Sequence, residues 1–126
     1  LPAALEEVIT KDVANRISAR IVAEGANGPT TGPADEILAD RGVFIIPDIL
    51  CNSGGVTVSY LEWVQNRMGY YWGEERVNDD LKRFITEAFE SVLKASIEHK
   101  VDMRVAAFIV GIQRVTKTAE MRGLYA

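Results

Sequence analysis

Two glycine-containing segments combine amide, hydroxyl and carboxylate side chains in a pattern that could bind a small ligand. The first, residues 24–31 (EGANGPTT), directly follows the short apolar run 20–23 (RIVA). The second, residues 47–59 (PDILCNSGGVTVS), directly follows the apolar run 43–46 (VFII). In open α/β sheets, ligands bind beyond the carboxyl ends of the strands. The two segments are therefore the candidate binding site of this chain.

The second segment opens a predicted helix with two glycines, Gly54 and Gly55. Each glycine weakens a helix by about 1 kcal/mol relative to alanine, so a bare backbone is expected to serve a purpose here. One purpose is the close approach of a ligand to the helix N-terminus, and the other is tight packing against the preceding strand. One face of this helix carries an amide, a small apolar side chain, a hydroxyl and an indole, from Asn52, Val56, Ser59 and Trp63.

Both segments also have a purely structural interpretation. Residues 24–31 would form a tight turn in which Asn27 tolerates an unusual backbone conformation, and the residues alone favour this interpretation. In the second segment, Asn52 would cap the helix and the Ser59 hydroxyl would bond back to a carbonyl one turn earlier. For this second segment the residues alone leave the structural and the ligand-binding interpretations equally open.

Other reactive side chains give weaker signals. Asp48 and Glu62 make a poor acid–base pair, because carboxylates near a helix start are ordinary capping or solvated groups. His99 lies at a predicted helix end, where its charge is favourable to the helix dipole. Cys51 has neither a basic neighbour nor a second cysteine nearby, which indicates packing. With one cysteine and one histidine in the chain, no metal site is predicted.

Composition and charge exclude several classes of partner. The chain has 14 Lys and Arg against 18 Asp and Glu, with a net charge of -4 and a pI near 5.0, which argues against nucleic acid. The longest apolar stretch, residues 105–112, is far shorter than the roughly 20 residues of a transmembrane helix, so no membrane partner is predicted. A single cysteine excludes an internal disulfide and indicates a reducing, cytoplasmic setting.

The first half of the chain predicts a strand, a helix and a strand that would position the two segments. Residues 20–23 and 43–46 are rich in β-branched and apolar side chains, and residues 33–40 between them begin with a proline and end before Gly42. Short joints in this order are typical of a parallel βαβ unit. Two short strands are too few for a stable sheet. We therefore predict the second half of a doubly wound, Rossmann-like parallel sheet whose first half lies upstream.

The second half of the chain predicts helices. Helical spacing of apolar residues extends from about Asn52 to Asn66, an aromatic loop follows at residues 69–73 (GYYWG), and a long amphipathic helix covers Val77 to Leu93. A last helix from an Asp102 cap to Arg122 is apolar nearly all round in its middle, which predicts that it is buried. The predicted organisation is a partial dinucleotide-binding half at residues 1–66, completed by C-terminal helices at residues 67–126.

Several motifs of known chemistry are missing, and the residues present resemble one family. The chain contains no G-x-G-x-x-G, P-loop, G-x-S-x-G or H-E-x-x-H motif, so it lacks the phosphate-binding turn of a dinucleotide site. Residues 23–31 (AEGANGPTT), 47–66 (PDILCNSGGVTVSYLEWVQN), 100–115 and the opening PAALE resemble the C-terminal part of glutamate dehydrogenases, in the glutamate/leucine/phenylalanine/valine dehydrogenase superfamily. The resemblance covers the whole chain and implies roughly the last third of a longer polypeptide.

The resemblance implies a cofactor-binding role for four residues. Ala3 and Ala4 would lie in a loop close to the cofactor, and Asn27 would bond the ribose on the nicotinamide side. Asn52 would lie at the nicotinamide and at the amino-acid end of the substrate. The cofactor would be NAD or NADP. The residue that distinguishes them follows the missing glycine-rich turn.

The resemblance also assigns the substrate pocket. Val56 would line it, and the Ser59 hydroxyl would bond the side-chain carboxylate of glutamate. The catalytic lysine and aspartate of the family lie outside this chain, so no residue here is predicted to be catalytic.

The implied reaction is the reversible oxidative deamination of L-glutamate to 2-oxoglutarate and ammonia, carried out by a homohexamer of the full-length protein. This chain alone would be inactive. One alternative is a leucine, valine or phenylalanine dehydrogenase of the same superfamily. Ser59 argues against it, because a hydroxyl left unpaired in an apolar pocket costs about 1–3 kcal/mol. A second alternative is a non-catalytic α/β interaction module.

Overall fold

The computed structural model describes residues 5–123, so the predicted sites Ala3 and Ala4 lie outside the described residues. Two strands and six helices follow one another in the order α1 (Lys11–Arg16), β1 (Ile21–Ala23), α2 (Gly32–Asp40), β2 (Phe44–Ile46), α3 (Asp48–Cys51), α4 (Ser53–Met68), α5 (Glu74–His99) and α6 (Met103–Arg122). Within the described residues, no helix is both long enough and apolar enough to cross a membrane.

The predicted strand–helix–strand unit is present, with a two-stranded parallel sheet. Ile21 pairs with Phe44, Val22 with Ile45 and Ala23 with Ile46. Each strand is one residue shorter at its start than predicted, although the N–H of Phe44 still donates to the carbonyl of Arg20 at 2.9 Å. The carboxyl ends of β1 and β2 therefore lie side by side.

Helix α2 begins one residue before the proline that was expected to open it, with Thr31 as its N-cap. It ends before Gly42, whose φ of 71° lies in the left-handed region and whose N–H donates to the carbonyl of Ala39 at 2.9 Å. Glycine adopts this conformation without steric cost, which confirms the predicted helix end.

Helix α1 was not predicted, because six residues are too few to show a helical period. It packs against α2 and β1 in a first hydrophobic cluster of Ile9, Ala14, Val22, Ala34 and Leu38. The Arg41 guanidinium donates to the carbonyls of Ala14 and Ile17 at the C-terminal end of α1. The Ala14 carbonyl also accepts the N–H of Ile17 at 3.3 Å, so Arg41 adds a second donor at this helix end.

The C-terminal helices form a second hydrophobic cluster, built from Leu50, Val92, Ala95, Met103, Ala106 and Ala107. Helix α4 ends at Met68, two residues beyond the predicted end, and its C-cap Gly69 has a φ of 66°. Helix α6 begins as predicted at Asp102, whose carboxylate accepts the N–H of Val105 at 2.8 Å. Helices α5 and α6 pack against each other and cover α3.

The predicted burial of the last helix is wrong for the described residues. One face of α6 is buried through Met103, Ala106 and Ala107. On other faces Phe108, Ile112 and Val115 are 52%, 60% and 70% exposed. No element within residues 5–123 covers these side chains.

This exposed apolar surface should make the isolated chain associate with itself, because two copies that meet there remove it from water. We expect sedimentation velocity at micromolar concentration to show oligomers. The Ile112→Glu variant should shift them toward the monomer with unchanged helix content by circular dichroism. Ala106→Glu is the matched control, since a charge on the buried face should reduce the helix content. A wild-type chain that stays monomeric would contradict this expectation.

Candidate functional site

The two predicted segments meet at the carboxyl ends of β1 and β2. The Nδ2 group of Asn52 donates to Oδ1 of Asn27, so the two predicted cofactor residues contact each other directly. One residue further along the first segment, the N–H of Gly28 donates to the Asp48 carboxylate at 2.8 Å. The segments therefore form one site across the sheet end.

The turn in the first segment differs from the structural interpretation of Asn27. The residue with positive φ is Gly28, at 49°, and Asn27 has no such conformation. A Cβ at Gly28 would lie no closer than 3.7 Å to the Glu6 side chain, which is ordinary contact. Backbone conformation, and not space, is therefore what requires a glycine at this position.

Asn52 lies between two helices. Helix α3 ends at Cys51, α4 begins at Ser53, and Asn52 occupies the N-cap position of α4 with φ -94° and ψ 0°. Its side chain makes no capping hydrogen bond. The capping interpretation is therefore wrong for this side chain, which instead reaches across to Asn27.

The glycines of α4 are not required by packing within the described residues. A Cβ at Gly54 would lie 3.8 Å from Cδ1 of Leu81, an ordinary contact, and one at Gly55 would meet nothing within 4 Å. The packing explanation for these glycines therefore finds no support among residues 5–123. The other expected purpose, close approach of a ligand to the first turn of α4, stays a prediction.

Val56 and Ser59 lie on the open side of α4. Val56 is 69% exposed, and the exposed Ser59 donates its hydroxyl to the carbonyl of Gly55 at 3.1 Å. This is the back-bond expected in the structural interpretation. Trp63 on the same face is 57% exposed. Next to Val56 an apolar groove of about 460 Å³ passes between α4, α5 and α6.

Four charged residues beside the site form an ion cluster that sequence reasoning missed: Glu24, Asp35, Asp48 and Arg104. The Arg104 guanidinium forms a two-pronged contact with Glu24, at 2.7 and 2.9 Å, and another with Asp35, at 2.8 and 3.1 Å. It lies 3.4 Å from Asp48. Glu24 is completely buried. Its carboxylate also accepts the Thr30 hydroxyl at 2.6 Å and the N–H of Asp48 at 2.9 Å.

The ion cluster keeps Arg104 charged. Hydrogen bonds to Asp35 and then to Glu24 raise the pKa of the Arg104 guanidinium above its ordinary value, against the opposing effect of burial. A raised pKa in the folded state favours folding at every pH below the ordinary value. The contribution of Arg104 to the free energy of unfolding is therefore lost only in strong alkali.

One signal in the sequence could have pointed to the ion cluster. Arg104 is the only charged residue in the apolar run 103–112, and Glu24 directly follows the predicted strand at residues 20–23. A charge in such a place needs a partner. Periodicity does not say which residue the partner is.

The remaining predicted candidates lie outside the site or act structurally. Glu62 is exposed, while Asp48 belongs to the ion cluster, so they form no acid–base pair. His99 is exposed in the last turn of α5, as predicted. In the aromatic loop, the N–H of Trp72 donates to the Gln65 side chain at 2.7 Å, a packing role. Among residues 5–123, no group of three or more His, Cys, Asp or Glu could hold a metal ion.

Comparison with known proteins identifies the family. The model of the glutamate/leucine/phenylalanine/valine dehydrogenases matches residues 1–123. The chain belongs to this family. It is 53% identical over 125 residues to the NAD-specific glutamate dehydrogenase of Clostridioides difficile. The aligned segment covers 99% of this chain and 30% of that protein.

Solved structures agree with this assignment. Glutamate dehydrogenase from Peptoniphilus asaccharolyticus superposes with a TM-score of 0.91 at 45% identity, covering 98% of this chain and 31% of that one. The leucine-bound hetero-hexameric glutamate dehydrogenase from Thermus thermophilus superposes with a TM-score of 0.92 at 29% identity, covering 98% and 30%. The chain thus spans about 30% of the length of the relatives it matches.

The glycines of the site can be compared in a hybrid protein in which this chain replaces the matching segment of the C. difficile relative. We expect Gly54→Ala to raise the urea midpoint, because alanine stabilises a helix by about 1 kcal/mol and the site has room for a Cβ. Gly28→Ala should lower the midpoint, because its φ of 49° is strained for alanine. Equal shifts in the two variants would contradict this account.

Proposed function

We propose that this chain forms part of an NAD-dependent glutamate dehydrogenase, which converts L-glutamate reversibly to 2-oxoglutarate and ammonia. The observation that carries the proposal is the contact between Asn27 and Asn52 at the carboxyl ends of two parallel strands. This is where a nucleotide cofactor binds in an open α/β sheet. The names of the relatives support NAD over NADP.

We also propose that β1 and β2 belong to a larger, doubly wound Rossmann-like sheet. Two paired strands of three residues each are too small to be stable without neighbours. In this proposal residues 1–66 form the partial dinucleotide-binding half, and residues 67–126 complete it. A hydrophobic cluster shared by Leu50 and residues of α5 and α6 supports the joining of the two parts.

Asn27 and Asn52 fit a nicotinamide cofactor chemically. Their mutual bond uses one donor and one acceptor, which leaves the Nδ2 group of Asn27 and Oδ1 of Asn52 for a ligand. A donor and an acceptor at this spacing suit a ribose hydroxyl and a carboxamide. When bound, NAD would supply the hydride acceptor, and the two asparagines would orient it. The cofactor role of Ala3 and Ala4 stays a prediction from the resemblance.

Val56 and Ser59 are the proposed substrate contacts. Val56 offers an apolar wall for the glutamate methylene groups, and the Ser59 hydroxyl can donate to the side-chain carboxylate. To do so, the hydroxyl must turn away from the Gly55 carbonyl that it bonds now. No residue of this chain is assigned to proton transfer, and none to metal binding.

A second candidate is a dehydrogenase of the family that acts on an apolar amino acid. The bond from Ser59 to Gly55 favours it, since the hydroxyl is already satisfied and would leave nothing unpaired beside an apolar side chain. The substitution of Ser59 below separates the two functions. A non-catalytic interaction module would show no activity with either glutamate or an apolar amino acid.

The proposed partners are glutamate, 2-oxoglutarate and ammonia, with further copies of the full-length protein in a homohexamer. The Thermus thermophilus structure is described as hetero-hexameric, which supports six subunits. The net charge of -4 argues against nucleic acid as a partner. A cytoplasmic location and the absence of a membrane partner stay predictions from the sequence.

The hybrid protein tests the function and the substrate together. We expect it to reduce NAD with glutamate, and Ser59→Val to lower kcat/KM for glutamate roughly ten- to a hundred-fold through loss of a charge-assisted bond. Activity with norvaline should fall less or rise. Ser91→Val is the matched control, because Ser91 on α5 makes the same back-bond, at 2.7 Å to Glu87.

Equal proportional losses for glutamate and norvaline in Ser59→Val would assign Ser59 to the helix alone. A folded hybrid that does not reduce NAD with any amino acid would overturn the proposed function.

The two asparagines should affect different kinetic constants. In the hybrid, we expect Asn27→Ala to raise KM for NAD about ten-fold, the value of one hydrogen bond. Asn52→Ala should also lower kcat at least about ten-fold, because it misplaces the nicotinamide relative to the substrate. Asn78→Ala, at an exposed position of α5, is the control. Wild-type kinetics in both site variants would leave only a structural role for the pair.

A further inference from the structure

Asp48 connects the ion cluster with the two asparagines of the proposed site. Its carboxylate accepts the N–H of Gly28 at 2.8 Å, next to Asn27, and its carbonyl accepts the N–H of Asn52 at 3.0 Å. Its own N–H donates to the carboxylate of Glu24 at 2.9 Å. A displacement of Asp48 would therefore move both asparagines.

Arg104 is what allows Glu24 and Asp48 to lie together. Its Nη1 group lies 2.9 Å from Oε2 of Glu24 and 3.4 Å from Oδ1 of Asp48. Without this cation, a completely buried carboxylate would face a second carboxylate of the same charge. Arg104 lies in the first turn of α6, and its guanidinium is the described cation that contacts both carboxylates.

We propose that Arg104, Glu24 and Asp48 are positioning residues for the dehydrogenase reaction, and that they set the separation of Asn27 and Asn52. The inference rests on the proposed function. Arg104 has no direct contact with either asparagine, so it acts through Asp48 and Glu24. The contacts from Gly28 to Asp48 and from Asn27 to Asn52 hold the turn of the first segment against α3 and α4.

A small displacement has a large effect on hydride transfer. A misplacement of about 1 Å at a reacting centre can cost about a hundred-fold in rate, even when the altered residue lies away from the chemistry. A purely stabilising ion cluster would behave differently. Its loss would lower the amount of folded protein and leave the kinetic constants of the folded fraction unchanged.

The kinetic test replaces Arg104 in the hybrid protein. We expect Arg104→Met to lower kcat and to raise KM for NAD, each about ten-fold or more. Arg104→Lys should restore part of the loss, because a lysine keeps the charge but not the two-pronged contact. Arg83→Met is the matched control, since the ion pairs of Arg83 on α5 are with Asp80 and Glu87 and its guanidinium stacks on the Phe84 ring, with no contact to the ion cluster among the described residues. If Arg104→Met does not fold, Asp48→Asn, which is isosteric, replaces it.

A double variant separates positioning from general damage. If Arg104 acts through the asparagine pair, Arg104→Met should lower kcat much less in an Asn52→Ala background than in the wild-type background. If the two effects multiply, the inference is overturned.

Crystal structures of the hybrid and of its Arg104→Met variant supply a measurement that does not depend on activity. The distance from Asn52 Nδ2 to Asn27 Oδ1 should exceed the hydrogen-bond limit of about 3.5 Å in the variant. An unchanged pair, or an active hybrid with wild-type kinetics in Arg104→Met, overturns this inference and leaves the proposed function standing. A folded, inactive hybrid whose asparagine pair still separates in the variant overturns the proposed function, and with it the role in the reaction, and supports only the control of the asparagine separation by Arg104.

Discussion

Arg104 and Glu24 are separated by 80 positions in the sequence, and their charged groups meet at 2.7 Å behind the carboxyl end of β1. Glu24 is completely buried, and a buried carboxylate without a partner is far more costly than the same group in water. The loop after β1, the start of α3 and the first turn of α6 must therefore assemble together. Removing one partner of such a pair costs about 3–5 kcal/mol, a large share of the stability of an ordinary domain.

The ion cluster also joins the two hydrophobic clusters of the chain. Asp35 lies beside Ala34 of the first cluster, and Arg104 lies beside Met103 of the second. Apolar packing alone is non-directional, so it would leave the two clusters free to adjust relative to each other. The forked guanidinium contacts both Glu24 and Asp35 with fixed geometry. The cluster thus supplies the orientation that packing does not.

Local patterns in the sequence predicted local structure well. The β-branched run at 20–23, Gly42 after α2 and Asp102 before α6 each specify an element or its end through the chain next to them. The asparagine contact was beyond local reasoning. So was the ion cluster, which depends on pairing across the chain. The burial of α6 was predicted from its apolar composition. Composition indicates that a surface is apolar, but it does not show which element packs against that surface.

The asparagine side of the candidate site is held by contacts within the chain, whereas the side formed by Val56 and Ser59 is open. Asn27 and Asn52 are already paired above a satisfied ion cluster, whereas Val56 is 69% exposed and the Ser59 hydroxyl bonds its own helix. A ligand bound to this side alone would gain two or three hydrogen bonds of about 1 kcal/mol each. Association costs at least about 4 kcal/mol in lost freedom of motion. In the proposed function, useful affinity therefore requires contacts from beyond residues 5–123, and the asparagines, held in advance, would contribute orientation more than binding strength.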